Sequence, residues 1–298
     1  VSVVQMTNFG QMGRWGNQIF QYAFLNLYAE RYGATVEIPA WAGDAIYGVP
    51  RQSPTEKLPL YYNRKGERHY EYPPIGNEVV DHDYCGYGQF HTSWYALHKD
   101  KFRSYFQPNQ SIVRRLAPAL SRLQRHNTTV GLHIRRGDYG RSIFYITLIA
   151  WYLQLLSHIW PLLNDPILFI ATEDLSLTTE FNAYLPVTTQ SLGVDLNSAP
   201  LMHYNYLPHD LQTHELVQMD FFPDFYFLSH CDIVIAPNST FSFAAAMMNP
   251  HLQKFYRSEL ETQRFVELDV WNSRPLTHVN VNEFPEVPGV RLDSNPWW

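Results

Sequence analysis

Cysteine is almost absent: the 298 residues include two, Cys85 and Cys231, far apart and each inside an apolar stretch. That excludes a disulfide framework, and no Cys/His spacing suited to zinc accompanies them. A reducing compartment is the expectation. Charge is sparse too, at 17% Asp, Glu, Lys and Arg, with a formal net charge of −6. An acidic chain does not suit nucleic acid or an acidic membrane as its main partner. Nothing at the start reads as a secretory leader. Only 143–163 is long and uncharged enough to test as a membrane span. It contains Thr147, Gln154, Ser157 and His158 and lies between two strand patterns, so a buried crossover helix is expected there. The expected location is cytoplasmic, at most peripheral to a membrane.

Apolar residues make up 45% of the chain and aromatic residues 15%, which describes a folded protein with room for two Rossmann-sized domains. The aromatic excess would suit stacking on sugar faces and would equally suit a plain core. Residues 1–6 read as a buried strand and 7–15 as a polar loop. A helix follows from Asn17, with Ile19, Phe20, Ala23, Phe24 and Leu27 at helical spacing and Gly33 at its end. Thr35–Ile38 reads as a second strand. In this β-loop-α-β opening, Gly13 and Gly16 let backbone approach a ligand at the helix start; an ordinary cap at Asn17 is the plainer reading. Residues 40–80, rich in Pro, Tyr and Gly, read as an irregular insertion fit for ligand-binding loops. Asp81-His82-Asp83 has the spacing of a metal-binding Asp-x-Asp.

Helices are expected over 94–106 and 111–126, the second interrupted by Pro118, with a domain boundary that gives units of 1–124 and 125–298. The second unit repeats the strand and helix alternation of an α/β protein. Thr128–Ile134 is a strand that ends in Arg135-Arg136-Gly137-Asp138. Alternation places His133 and Arg135 on one face and Ile134 and Arg136 on the other. Two guanidinium groups at the carboxyl end of a strand suit phosphate oxygens. Asp138 is placed to hold one of them and leave the other free. A crossover helix over 148–160 leads to a strand, 166–171, which ends at Glu173 and Asp174. These carboxylates could accept from a nucleoside or cap a helix. Residues 186–213 read as loops, 215–230 as a helix, 232–236 as a strand and 238–249 as a helix. The start Asn238-Ser239-Thr240 offers hydroxyls and open backbone N–H groups, an anion site or an ordinary cap.

His133-Ile134-Arg135-Arg136-Gly137-Asp138-Tyr139 resembles the His-x-Arg-Arg-x-Asp-Tyr signature of the α1,2- and α1,6-fucosyltransferases and protein O-fucosyltransferases. Gly13-Arg14-Trp15-Gly16-Asn17-Gln18-Ile19-Phe20-Gln21-Tyr22-Ala23 is similar to the opening block of the α1,2 family, glycosyltransferase family eleven. Gly86-Tyr87-Gly88-Gln89, the stretch Asp224–Cys231, and Asn238-Ser239-Thr240-Phe241-Ser242 resemble three further blocks, all in order. Phe243-Ala244-Ala245 departs from the family, which has Trp-Trp or Trp-Gly there.

The resemblance implies an α/β fold of two facing Rossmann-like domains (GT-B). It also implies inverting, metal-independent transfer of L-fucose from GDP-β-L-fucose to the 2-hydroxyl of a terminal β-galactoside. GDP-fucose is a substrate, so no cofactor is expected; the acceptor would be a galactose-terminated oligosaccharide. Arg135 and His133 are the candidate catalytic residues. Gly16, Asn17, His133, Arg135, Arg136, Asp138, Glu173, Asp174, Asn238, Ser239, Thr240, Phe241 and Ser242 are the candidates for donor binding, with no metal ligands. The first domain would face the acceptor and the second GDP-fucose, with a Pro-rich tail from Trp271 packing back across both. Two other readings stay open: a fucosyltransferase of α1,6 or protein O-linked regiochemistry, and a glycan- or nucleotide-binding protein without turnover, which the presence of Arg135 disfavours.

Overall fold

The computed structural model describes residues 1–48, 52–66, 69–140, 144–194 and 219–279. The described residues cluster into two compact α/β units. One holds residues up to 115 together with 219–221, the other residues 116–194 and those from 222 onward. The chain passes between them inside a helix, α5 (Gln110–Leu123), which continues through Pro118 without a break. Pro118 has no N–H to donate to the carbonyl four residues back, but the rest of the turn carries the helix past it.

The first unit is built on four parallel strands, β1 (Val3–Gln5), β2 (Thr35–Glu37), β3 (Leu60–Tyr62) and β4 (His82–Cys85), in the order β2-β1-β4-β3. Helix α1 (Trp15–Tyr32) connects β1 to β2 and ends at Gly33 in the left-handed region. Both flanks of α1 are buried, and Phe20 and Phe24 are fully enclosed. Burial on two sides explains why its sequence reads as helical without a clean polar face. Around it lie α2 (Ala42–Tyr47), α3 (Ser93–Ala96) and α4 (Lys99–Ser104). The single helix expected over 94–106 is thus two short ones, divided at His98, whose φ of −122° leaves the helical region. The stretch expected to be irregular contributes α2 and the edge strand β3. Asp83 lies inside β4, not after a strand as expected.

The second unit is a five-stranded sheet in the order β6-β5-β7-β8-β9, formed by β5 (Thr128–Ile134), β6 (Pro166–Thr172), β7 (Ile233–Ala236), β8 (Lys254–Glu259) and β9 (Arg264–Glu267). The pairings are parallel except that of β8 with β9. Helix α6 (Ile149–Ile159) covers one face, where Trp151, Tyr152 and Leu156 pack on Val130, Leu132, Ile134, Ile233 and Ile235. It is the crossover expected from the uncharged stretch, but buried on one face only, with Gln154, Ser157 and His158 exposed on the other. Among the described residues, no helix is long and apolar enough to cross a membrane. Helices α7 (Phe222–Leu228) and α8 (Thr240–Met248) follow on either side of β7. On the sheet face away from α6, Phe169 meets Phe227 at 5.5 Å between ring centroids.

Strands β8 and β9 were not expected from the sequence. The expected loop over 186–213 and the first residues of the expected helix 215–230 lie largely outside the described residues, as does most of the tail from Trp271.

Candidate functional site

In an open α/β sheet, ligands bind beyond the carboxyl ends of the strands, where successive connections leave in opposite directions. In the second unit that point lies between β5 and β7, since the chain goes from β5 outward to β6 and then returns across to β7. Beyond the end of β5 stand Arg135 and Arg136; beyond the end of β7 stand Asn238 to Ser242. The topology therefore gathers the two expected blocks at one edge.

Arg135 is held on three sides. Its Nη2 donates to Asp138 Oδ1 at 2.5 Å, its Nη1 lies 3.5 Å from Glu173 Oε1, and its guanidinium carbon sits 5.6 Å from the centroid of the Tyr139 ring. Burial opposes its charge, but Glu173 and Asp138 more than offset that, and its pKa is raised. Glu173 also accepts from the Arg136 backbone N–H at 2.8 Å. Asp138 thus holds Arg135, the arginine expected to meet the donor. The Arg136 side chain turns back, with Nη1 donating to the Arg135 carbonyl at 3.0 Å. Two cations and two carboxylates leave the cluster formally neutral. An anion arriving there must compete with Asp138 and Glu173 for the guanidinium.

His133 is buried, and its Nδ1 lies 2.9 Å from Ser242 Oγ, with Phe241 against the ring at 5.2 Å between centroids. The Tyr152 hydroxyl donates to its backbone carbonyl at 2.8 Å. Burial, and then the charge of Arg135, push the His133 pKa down to about 3. The ring is neutral near pH 7 and joins β5 to α8, which makes it a positioning group and a poor proton acceptor.

The start of α8 is capped from within, as Ser239 Oγ accepts from the Phe241 N–H at 3.3 Å. Asn238 is fully buried. Its Nδ2 donates to the Thr277 carbonyl and its Oδ1 accepts from the Thr277 N–H, both at 2.8 Å. Its backbone carbonyl accepts from the Tyr139 hydroxyl at 2.8 Å. The Asn238 amide therefore works as a clamp on the segment that follows β9. Thr240 and Phe241 are partly exposed on the first turn of α8. Asp174 caps the 3-10 segment Leu175–Tyr184, accepting from Ser176 N–H at 3.1 Å and Ser176 Oγ at 2.6 Å. Of its two open readings, the structure favours the cap.

Gly16 and Asn17 belong to the first unit, in the first turn of α1. Asn17 Oδ1 accepts from Gln89 Nε2 at 2.8 Å, which links two of the sequence blocks. The Asp-x-Asp carboxylates are taken up in joining strand ends. Asp83 accepts from Thr7 N–H at 2.8 Å and Thr7 Oγ1 at 2.6 Å, and Asp81 from Val3 N–H at 2.9 Å. Among the described residues, no group of three His, Cys, Asp or Glu could hold a metal. A cavity of about 480 Å³ lined by His126, His230, Asp232 and His251 lies at the amino ends of β5 and β7, opposite Arg135. Asp232 is already engaged by Thr129 and Gln253, so the arginine end is the better candidate. Two residues were not singled out from the sequence. Tyr139 stood inside the quoted motif, whereas the buried Glu71 had no local signal.

No family model matches the chain, and no curated protein matches it at a significant level. Solved structures do. NodZ α-1,6-fucosyltransferase soaked with GDP-fucose superposes with a TM-score of 0.54 at 13% identity, covering 90% of this chain and 98% of that one. Fucosyltransferase NodZ from Bradyrhizobium gives 0.52 at 14% identity, covering 90% and 97%. A variant of Arabidopsis thaliana FUT1 in complex with GDP gives 0.52 at 12% identity, covering 96% of this chain and 79% of that one. The chain therefore has the GT-B-type α/β fold, two Rossmann-like units, that these fucosyltransferases share.

Proposed function

We propose that the protein transfers L-fucose from GDP-β-L-fucose to the 2-hydroxyl of a terminal β-galactoside. The observation that carries this reading is Arg135, anchored by Asp138, Glu173 and Tyr139 at the switch point of the second unit. It stands in a fold whose neighbours include structures with GDP-fucose and GDP. The second unit would take the nucleotide sugar and the first the acceptor.

As the glycosidic bond to the diphosphate breaks, negative charge builds on the leaving phosphate. A preorganised guanidinium meets that charge without reorganising, and stabilisation of this kind is commonly the largest catalytic contribution. Asp138 and Glu173 orient the fork, and Tyr139, tied to the Asn238 carbonyl, supports it from below. The first turn of α8 would supply backbone and hydroxyl contacts. A divalent ion is not required in this scheme, because Arg135 and the first turn of α8 would meet the charge of the leaving diphosphate. Activity should therefore survive EDTA; complete loss restored by manganese or magnesium would overturn that part.

The preference for the α1,2 linkage rests on the opening and Asn238–Ser242 sequence blocks. A second reading, α1,6 transfer, is favoured by the NodZ likeness. A panel of galactose-terminated acceptors with GDP-fucose, with the product linkage assigned by NMR, decides between them. Absence of fucosyl transfer to every one of these acceptors would sink the α1,2 reading.

A further inference from the structure

The first unit has its own switch point. Its order β2-β1-β4-β3 places the crevice between β1 and β4, at the carboxyl ends where the loop 6–14 and the turn 86–89 emerge. The turn is a block singled out in the sequence, the loop runs into another at Gly13, and a buried carboxylate from a third segment holds the turn. Glu71 is only 5% exposed. Its Oε1 and Oε2 accept from the Tyr87 backbone N–H at 2.8 and 3.0 Å, and Oε2 also accepts from the Gln89 N–H at 3.3 Å. The Gly86 carbonyl accepts from Gln21 Nε2 at 3.1 Å, and the Gly88 carbonyl from the Tyr95 hydroxyl at 2.5 Å. The turn is therefore pinned from several sides, with Glu71 supplying the only charge among these bonds. From this turn Gln89 Nε2 reaches Asn17 Oδ1 at 2.8 Å. Asn17 in turn lies over Gly13, whose φ is +88° and where an added Cβ would run into the Asn17 amide.

We propose that Glu71 is a positioning residue for the ligand pole of the first unit: its carboxylate fixes the Gly86–Gln89 turn, and Gln89 fixes Asn17 at the head of α1. Burying a carboxylate is costly unless hydrogen bonds meet it. Burial raises the Glu71 pKa, while the Tyr87 and Gln89 N–H groups pull it back. A chain gains from such a costly arrangement only where the geometry it fixes matters. Both oxygens accept from backbone N–H groups, so Glu71 does not act as the general base. Under the function proposed above, on which this assignment of the ligand rests, the pole receives the hydroxyl-rich saccharide acceptor, which moves Gly16 and Asn17 from the donor contacts expected of them to the acceptor side.

The test compares the full-length wild type with Glu71→Gln and Gln89→Ala by amide hydrogen exchange and by kinetics. Glu71→Gln turns an acceptor toward the backbone N–H groups into a competing donor. Exchange should accelerate at Tyr87 and Gln89 and also at Asn17 and Gln18, whose N–H groups donate to the Arg14 carbonyl. The β5 to β7 strands should remain unchanged. Kinetically, kcat/KM for the acceptor should fall roughly ten- to hundredfold, while GDP affinity and the KM for GDP-fucose stay within about twofold.

Acceleration confined to 65–72, or equal loss of donor and acceptor affinity, would overturn the proposal. If Glu71→Gln does not fold, Gln89→Ala decides: unchanged exchange at Asn17 and unchanged acceptor kinetics would refute it. A wild type that transfers no fucose would refute the function instead, and the exchange comparison would still judge Glu71.

Discussion

At the scale of single residues, the arginine pair divides its work. Arg135 is gripped by two carboxylates and a ring, whereas Arg136 turns back onto the main chain. Arg135→Ala should lower turnover by roughly 10²–10³, the usual cost of one donor at a developing charge. Arg135→Lys should recover little, because an ammonium keeps the charge but loses the fork. Arg136→Lys should be milder. Steady-state kinetics with GDP-fucose check this; near wild-type turnover in a folded Arg135→Ala protein would remove the site.

His133 gives a different signature. Its folded pKa of about 3 lies below the ordinary value of 6.5 because burial and Arg135 both disfavour the cation. The unfolded chain therefore binds the extra proton first. The stability from neutral His133 is fully present above pH 6.5 and drains away as the pH falls toward 3, by about 1.4 kcal/mol per unit at its steepest. Urea unfolding at pH 7 and pH 4.5 should show a smaller acid loss in His133→Gln than in the wild type. Equal losses would contradict the buried, neutral assignment. The sequence made His133 visible but not its environment, since the partner Ser242 lies 109 residues away.

At the scale of elements, strand β5 was legible because it is buried on both faces and reads as a continuous β-branched and apolar run. Helix α6 was legible through its uncharged length. Strand β3 was not: Leu60 and Tyr62 stand exposed on a sheet edge, so its three residues carry no inward pattern. The anchoring of Arg135 was half legible. Asp138 is three residues away, but Glu173 reaches it only because β6 pairs with β5 in register, Ile134 opposite Thr172. Register also explains Gly131. A Cβ there would lie 2.8 Å from Cys231 Sγ and 2.9 Å from Leu228 Cδ2, where the end of α7 crosses the strand. Those neighbours are buried and cannot retreat freely, so Gly131→Ala should destabilise the fold by about 1–3 kcal/mol. Chemical denaturation measures it, and an unchanged stability would refute tight packing at Gly131.

At the scale of the whole molecule, two sheets each place their sequence blocks beyond a switch point, with guanidinium groups balanced by carboxylates in the second unit and, in the first, amides and a carboxylate bonded to backbone N–H groups. An anionic donor would meet the guanidinium of Arg135, and a hydroxylic acceptor the amides of the first unit. This arrangement also bears on stereochemistry. GDP-β-L-fucose with an α-linked product requires one displacement with inversion, and a single displacement needs no enzyme nucleophile. The carboxylates around Arg135 are occupied: Asp138 by the guanidinium, Glu173 by Arg135 and Arg136, and Asp174 by Ser176. None is presented as an attacking group. His133, neutral and bonded to Ser242, is a weak base. A hydroxyl deprotonated late in a dissociative transition state needs no strong base from this cluster. The product with a β-galactoside acceptor should therefore be the α anomer, formed without a fucosyl-enzyme. NMR of the product and mass spectrometry of enzyme quenched during turnover check the two halves. A β-linked product or a trapped adduct would sink the mechanism while leaving the donor assignment standing.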